Sequence, residues 1–219
     1  MKTSTSKRLR WNVAIWLAAG LFMTSTAGMA SGPIMPDPKA EARHQPQVEE
    51  TANGISLVNI TAPSSGGVSR NEYETFNVPD KGAILNNSYT LSKTELAGYV
   101  QGNNNMAERP AKIIVNEVTG AGSTSMDGFL EVAGNRADVV IANPNGITCD
   151  GCGFINTPRA TLSTGRPMIG ADGTLNGLDV NGGAIAIQGR GADASRIDAF
   201  DIISRQVTIE APISAAGQI

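Results

Sequence analysis

Histidine, cysteine and aromatic residues are scarce in this chain. Its 219 residues include one His, two Cys, two Trp, three Tyr and five Phe. The single His, His44, lies in a proline-dotted stretch and reads as an exposed linker residue without a role. That leaves no histidine base for a Ser or Cys nucleophile. Two Cys with no His nearby leave a zinc ion short of four ligands. Excess positive charge is also missing. Residues 1–30 hold four of the 17 basic residues (Lys2, Lys7, Arg8, Arg10) and no acid, which leaves 13 basic against 20 acidic residues and a net charge of −7. Such a chain does not grip a phosphate backbone, which needs clustered Lys and Arg.

The apolar run Trp11 to Met23, broken only by Asn12, is shorter than the roughly 20 residues of a spanning helix. With its basic start and the small residues Gly28-Met29-Ala30, it reads as a secretory signal cleaved after Ala30 rather than a membrane anchor. Both Trp residues, Trp11 and Trp16, fall inside it. The remainder keeps four Phe and three Tyr, so its core must be aliphatic. Residues 31–52 carry Pro33, Pro36, Pro38 and Pro46 and read as an extended, disordered linker. Residues 53–219 suit one domain.

What is present is a rhythm of short apolar runs between Asn, Gly and Pro corners. It is densest from Glu131 to Ser163. Val139-Val140-Ile141 is one run, Asn143-Pro144-Asn145-Gly146 a turn, and Ile147 restarts the pattern. Cys149-Asp150-Gly151-Cys152 is a second corner before Phe154-Ile155. Ile55–Ile60, Tyr73–Val78, Ala83–Leu85, Lys112–Val118, Phe129–Ala133, Asp138–Ala142, Ala160–Ser163, Thr174–Val180, Ala184–Gln188, Ile197–Ile203 and Gln206–Ala211 read as strands. Ser92–Val100 reads as a helical turn or two, with Ser92 as cap and Glu95 three residues on.

A sandwich and a solenoid both fit an all-β chain. Very short strands, left-handed-tolerant corners and an aliphatic core favour the solenoid. So does the run Val207 to Ile219, which starts another coil and stops; the chain reads as the N-terminal part of something longer. With coils of ~20 residues, the domain would be a rod on the order of 40 Å long.

The block Asn143 to Leu162 (NPNGITCDGCGFINTPRATL) resembles the secretion domain of two-partner secretion exoproteins, the filamentous haemagglutinin-like proteins. Within them it is most similar to contact-dependent growth inhibition toxins of CdiA type and related haemolysins. Ile84-Leu85-Asn86-Asn87, Asn116–Gly120 and Glu131–Gly134 carry the same likeness, which spans about residues 53–219. The resemblance implies a right-handed parallel β-helix with an N-terminal cap and small extra-helical β elements. It implies export from the periplasm through an outer-membrane β-barrel transporter of TpsB/CdiB type, whose periplasmic domains read the chain while it is unfolded or partly folded. The product would be secreted, or held at the surface of a Gram-negative cell, with its toxin or adhesive part far downstream.

The family carries two Asn-rich motifs. One is matched by Asn143, Pro144, Asn145, Gly146 and Ile147. The other, usually Asn-Pro-Asn-Leu, aligns with Asn103, Asn104, Asn105 and Met106. Each motif either contacts the transporter or only shapes a corner, since Pro fixes one backbone angle and Asn enters turns readily. Cys149 and Cys152 form no thioredoxin-like site, for want of a βαβ setting. A structural disulfide across a tight loop suits an exported chain. Asp198 and Asp201 flank one strand and face solvent rather than forming a catalytic pair. The expected function is therefore a monomeric, non-enzymatic secretion and folding-nucleation module with no metal, cofactor or nucleic acid. The alternatives are a β-helical polysaccharide-active enzyme and a receptor-binding adhesin module.

Overall fold

A computed structural model describes residues 33–107 and 109–216. The expected signal segment, residues 1–30, lies outside the described residues. Strands are three to nine residues long, cut short by Gly, Asn and Pro. The order begins with β1 (Ile34–Pro36), one short helical turn (Ala42–His44), β2 (Gln47–Glu50), β3 (Ser56–Asn59), β4 (Val68–Phe76) and β5 (Ala83–Asn87). A ribbon of β6 (Ser92–Thr94) and β7 (Gly98–Val100) follows. Three regular coils come next. The first is β8 (Ile113–Val118), β9 (Thr124–Met126) and β10 (Phe129–Gly134); the second is β11 (Asp138–Ala142), β12 (Ile147–Cys149) and β13 (Cys152–Ile155). The third starts at β14 (Arg159–Ser163), is interrupted by a hairpin of β15 (Arg166–Ile169) and β16 (Leu175–Asp179), and resumes as β17 (Ala184–Ile187) and β18 (Ala192–Ala194). A last coil holds β19 (Ala199–Ile203), β20 (Gln206–Ile209) and β21 (Ile213–Ala215).

Like strands of successive coils stack in parallel. One sheet runs β1-β4-β8-β11-β14-β19, a second β2-β3-β5-β10-β13-β18-β21, and a third β20-β17-β12-β9. This is the expected parallel β-helix. Where nothing interrupts a coil, the chain advances 25 residues (Ile113 to its partner Asp138) or 21 (Val139 to Ala160). The stack is shorter than the expected rod. The seven strands of the second sheet span about 29 Å at the usual strand spacing, because the two antiparallel ribbons take chain out of the stack.

Alternation decides the faces. In β11, Val139 and Ile141 point inward, in register with Ile114 and Asn116 before and Ala160 and Leu162 after. Val140 points outward, stacked on Val115. That outer face is too apolar to leave wet, and the β15–β16 hairpin lays Leu175 and Leu178 against it. The β6–β7 ribbon similarly covers Leu57 and Ile84 with Val100, Leu96 and Ala97. The helix expected at Ser92–Val100 is therefore this ribbon. Gly98, at φ 71°, supplies a left-handed turn residue, and Thr94 ties the turn with bonds to Gly98 O (2.8 Å) and from Ala97 N (3.1 Å). Glu131 clamps the tip, accepting the amides of Glu95 (2.7 Å) and Leu96 (2.9 Å).

The linker expected over 31–52 is instead, from residue 33, a cap. β1 pairs antiparallel with β4 and β2 with β3. Both are edge strands, where Pro is tolerated, and Ile34 and Val48 join the core. His44 is not an exposed linker residue. Its side chain is 16% exposed, and Nδ1 lies 2.9 Å from Glu72 Oε1. Arg70 bridges Glu72 (3.2 Å) and the buried Glu117 (2.7 Å). Asp37 pins the cap to the next coil. It accepts the Thr119 hydroxyl (2.6 Å) and the Lys39 amide (2.8 Å), and these bonds, the hydroxyl first, hold its carboxyl below the ordinary value.

Three outcomes follow. Ile141→Ala lowers stability by about 2–5 kcal/mol, read from the urea midpoint. Glu131→Gln leaves one ribbon amide facing a side-chain NH2, costs about 1–3 kcal/mol, and speeds proteolytic cleavage within residues 92–100. A depressed folded-state pKa stabilises above the unfolded value and loses that contribution as pH falls through the folded value. The urea midpoint of Asp37→Asn therefore drops less than that of the parent between pH 7 and about pH 3.

Candidate functional site

Asn103 and Asn143 each end a sheet segment and must turn the chain without leaving main-chain groups dry. Each does so in the same way. Asn103 Oδ1 accepts the Asn105 amide (2.9 Å) and Asn143 Oδ1 the Asn145 amide (2.9 Å). The fourth residue then closes the turn, Met106 N to Asn103 O and Gly146 N to Asn143 O, both at 3.1 Å. The two motifs are one Asx-turn device. Asn for Pro and Met for Leu do not disturb it. Met106 is buried in the core, as a Leu would be, and Asn104 is exposed.

The remaining amide hydrogens reach other segments. Asn103 Nδ2 donates to Ile60 O (2.8 Å) and Asn86 O (2.9 Å), and Asn105 Nδ2 to Ile60 O (3.1 Å). Asn143 Nδ2 donates to Gly122 O and Thr124 Oγ1, both at 3.0 Å, and Asn145 Nδ2 to Gly120 O (2.8 Å). The second motif is thus fastened to the corner of the coil before it. Pro144 is half-buried and Asn145 exposed. Gly146 has φ 116°, and a Cβ there would stand 3.0 Å from Ala184 O of the following coil. Ile147 points into the core.

Sequence reading missed the other members of this set. Asn71, Asn86, Asn87 and Asn116 are fully buried. Asn87 bridges Ala111 O and Asn135 O (both 2.9 Å) and accepts the Ala111 amide (2.7 Å). Asn116 accepts the Tyr73 hydroxyl (2.9 Å), and Asn156, itself left-handed at φ 59°, donates to Val132 O (2.7 Å). Asn86, Asn87 and Asn116 stood in stretches that carry the family likeness, each after an apolar run, whereas Asn71, after Ser69-Arg70, gave no signal.

Cys149 and Cys152 are joined in a disulfide and fully buried. Asp201 pairs with Arg159 (2.7 Å) and Asp198 with Arg136 (3.6 Å), each on the outer surface rather than in a cleft. Among the described residues, no group of three or more His, Cys, Asp or Glu is set to hold a metal, and no helix is long and apolar enough to cross a membrane.

A family model described as the TPS secretion domain matches residues 33–219. The chain belongs to the TPS secretion domain family. It is 48% identical over 191 residues to a tRNA nuclease CdiA of Yersinia mollaretii, covering 85% of this chain and 6% of that protein. It is 46% identical to a 16S rRNA endonuclease CdiA of Enterobacter cloacae, with the same coverage. The chain thus spans about 6% of the length of these relatives. The crystal structure of the filamentous hemagglutinin secretion domain matches with a TM-score of 0.76 at 36% identity, over 85% of this chain and 60% of that one. The family match begins at residue 33, so the capping strands belong to the TPS domain.

For the TPS motifs, Asn103→Ala and Asn143→Ala should each lower stability by about 1–3 kcal/mol, while Asn104→Ala stays within about 0.5 kcal/mol. Urea denaturation of the three variants checks this.

Proposed function

We propose that this TPS domain carries a large exoprotein to an outer-membrane transporter of TpsB/CdiB type, and then seeds the folding of later coils outside the cell. The transporter's periplasmic domains read the chain before it folds. The protein reaches the medium or the surface of a Gram-negative cell, and the parts that contact target cells lie downstream. The domain itself acts as a monomer without chemistry.

The observation that carries the seeding role is the last coil. Among the described residues β19, β20 and β21 each end their sheets, and Ile203, Val207 and Ile209 are 40%, 42% and 56% exposed. Those open edges and apolar side chains are what a further coil would cover. The Asn corners support a folding role, because their side chains are spent on the domain's own main chain. A glycan-active enzyme finds no support in Asp198 and Asp201, which are paired on the outer surface.

Unfolded domain, mixed with the periplasmic part of the transporter, should bind it, and folded domain should not. Equal binding by both states, or by neither, counts against the reading. Folding a domain of non-local pairings is slow, so a variant that folds faster before export should be secreted less. Unchanged secretion of such a variant contradicts unfolded passage.

A further inference from the structure

The Cys149–Cys152 pair ends in a place that is closed from both sides. Cys149, last in β12, lies between Met126 of the coil before and Ile187 of the coil after. Cys152 opens β13 beside Ala192. Both are fully buried. The turn between them is strapped by Arg190, forty residues beyond Asp150. Arg190 donates to Asp150 Oδ1 through its main-chain amide (3.0 Å) and Nε (3.1 Å), and its Nη2 reaches Asp127 O (2.8 Å). These bonds, the main-chain one first, hold the Asp150 carboxyl below its ordinary value. Gly151 N donates to Gly191 O (2.8 Å), and a Cβ on Gly151 would stand 2.8 Å from Arg190 Cζ. Folding of the coil that holds residues 185–191 therefore removes the sulfurs from any reagent in solution.

The bond also spans only three positions of chain. It ties no distant segments together, so an oxidised chain is nearly as extensible as a reduced one.

We propose that Cys149 and Cys152 are oxidised before the domain folds, by exchange with a protein disulfide oxidase in the compartment that precedes export, and that folding then seals the bond. This rests on the reading that the chain crosses the outer membrane unfolded. In the exchange, one cysteine thiolate attacks the oxidase disulfide and expels a thiolate, forming a mixed disulfide. The second cysteine attacks its partner's sulfur and expels the other oxidase thiolate. Two electrons and two protons pass from the pair to the oxidase, which leaves as a dithiol.

The test follows thiol oxidation by maleimide labelling. The chain is reduced in denaturant, and oxidised glutathione is added either before or after refolding. Oxidation after refolding should be at least about 100-fold slower, because it waits on an opening of the coil. Arg190→Ala should narrow that ratio without changing the unfolded rate. A reduced chain that cannot refold at all would support the same order of events. Equal rates in the two states, when circular dichroism shows the reduced chain to have refolded, would overturn the proposal. In cells that contain the transporter but lack the thiol oxidase, exported chain should carry free thiols that stay reduced when oxidised glutathione is added to the medium. Rapid oxidation there would overturn it too. Failure of unfolded passage alone reads differently. The glutathione ratio would persist, yet a fast-folding variant would still leave the cell.

Discussion

The corners of this helix are satisfied only in part from within their own coil. Where the chain leaves one sheet for the next, main-chain carbonyls point away from the ladders, and burial without a partner would cost about 1–3 kcal/mol each. Buried or half-buried asparagine amides supply the partners, and they do so across coils. Asn143 reaches Gly122 and Thr124, Asn156 reaches Val132, and Asn87 spans Ala111 and Asn135. Asn suits this task because its short side chain both donates and accepts. A coil is thus complete only when its neighbour is in place. That dependence makes the stack cooperative and makes its contacts distant in sequence.

The rest of the TPS domain manages the surfaces that stacking leaves over. At the start, β1 and β2 reverse direction and close two sheet edges, fastened by Asp37 and by the Glu72–Arg70–Glu117 cluster with His44 beside it. On the flanks, outward Val115, Val140, Leu57 and Ile84 would be wet without the two ribbons. Among the described residues, β19, β20 and β21 have no further parallel neighbour. Parallel edges of that kind are what the proposed seeding of a further coil would use.

The repeating architecture was legible in the sequence because alternation and corner residues are local signals. Val139-Val140-Ile141, the Asn143 turn and the run Ala184–Gln188 each announced their element. The cap was not legible. Ile34-Met35 and Val48 are the few large apolar residues among prolines and charges, and only pairing with β4 and β3 gives Ile34 and Val48 a core to join. The β6–β7 ribbon was misread as helix because Ser92 and Glu95 have capping spacing. The demand for a cover over Ile84 and Leu57, more than thirty residues earlier in the case of Leu57, overrode it. At the corners the two motifs were visible, but Asn86, Asn87 and Asn116 were not seen as buried. A polar residue ending an apolar run looks like a turn in water until its partners on other coils are known.

Hydrogen exchange of the folded domain tests this dependence most directly. The amides of Thr124, Asn143 and Gly146, which bond to Gly146 O (3.0 Å), Ser163 O (2.9 Å) and Asn143 O (3.1 Å), should exchange only when the whole stack opens, as slowly as those of the central strands. Corner amides that exchange at loop rates while β8 and β11 stay protected would contradict the account.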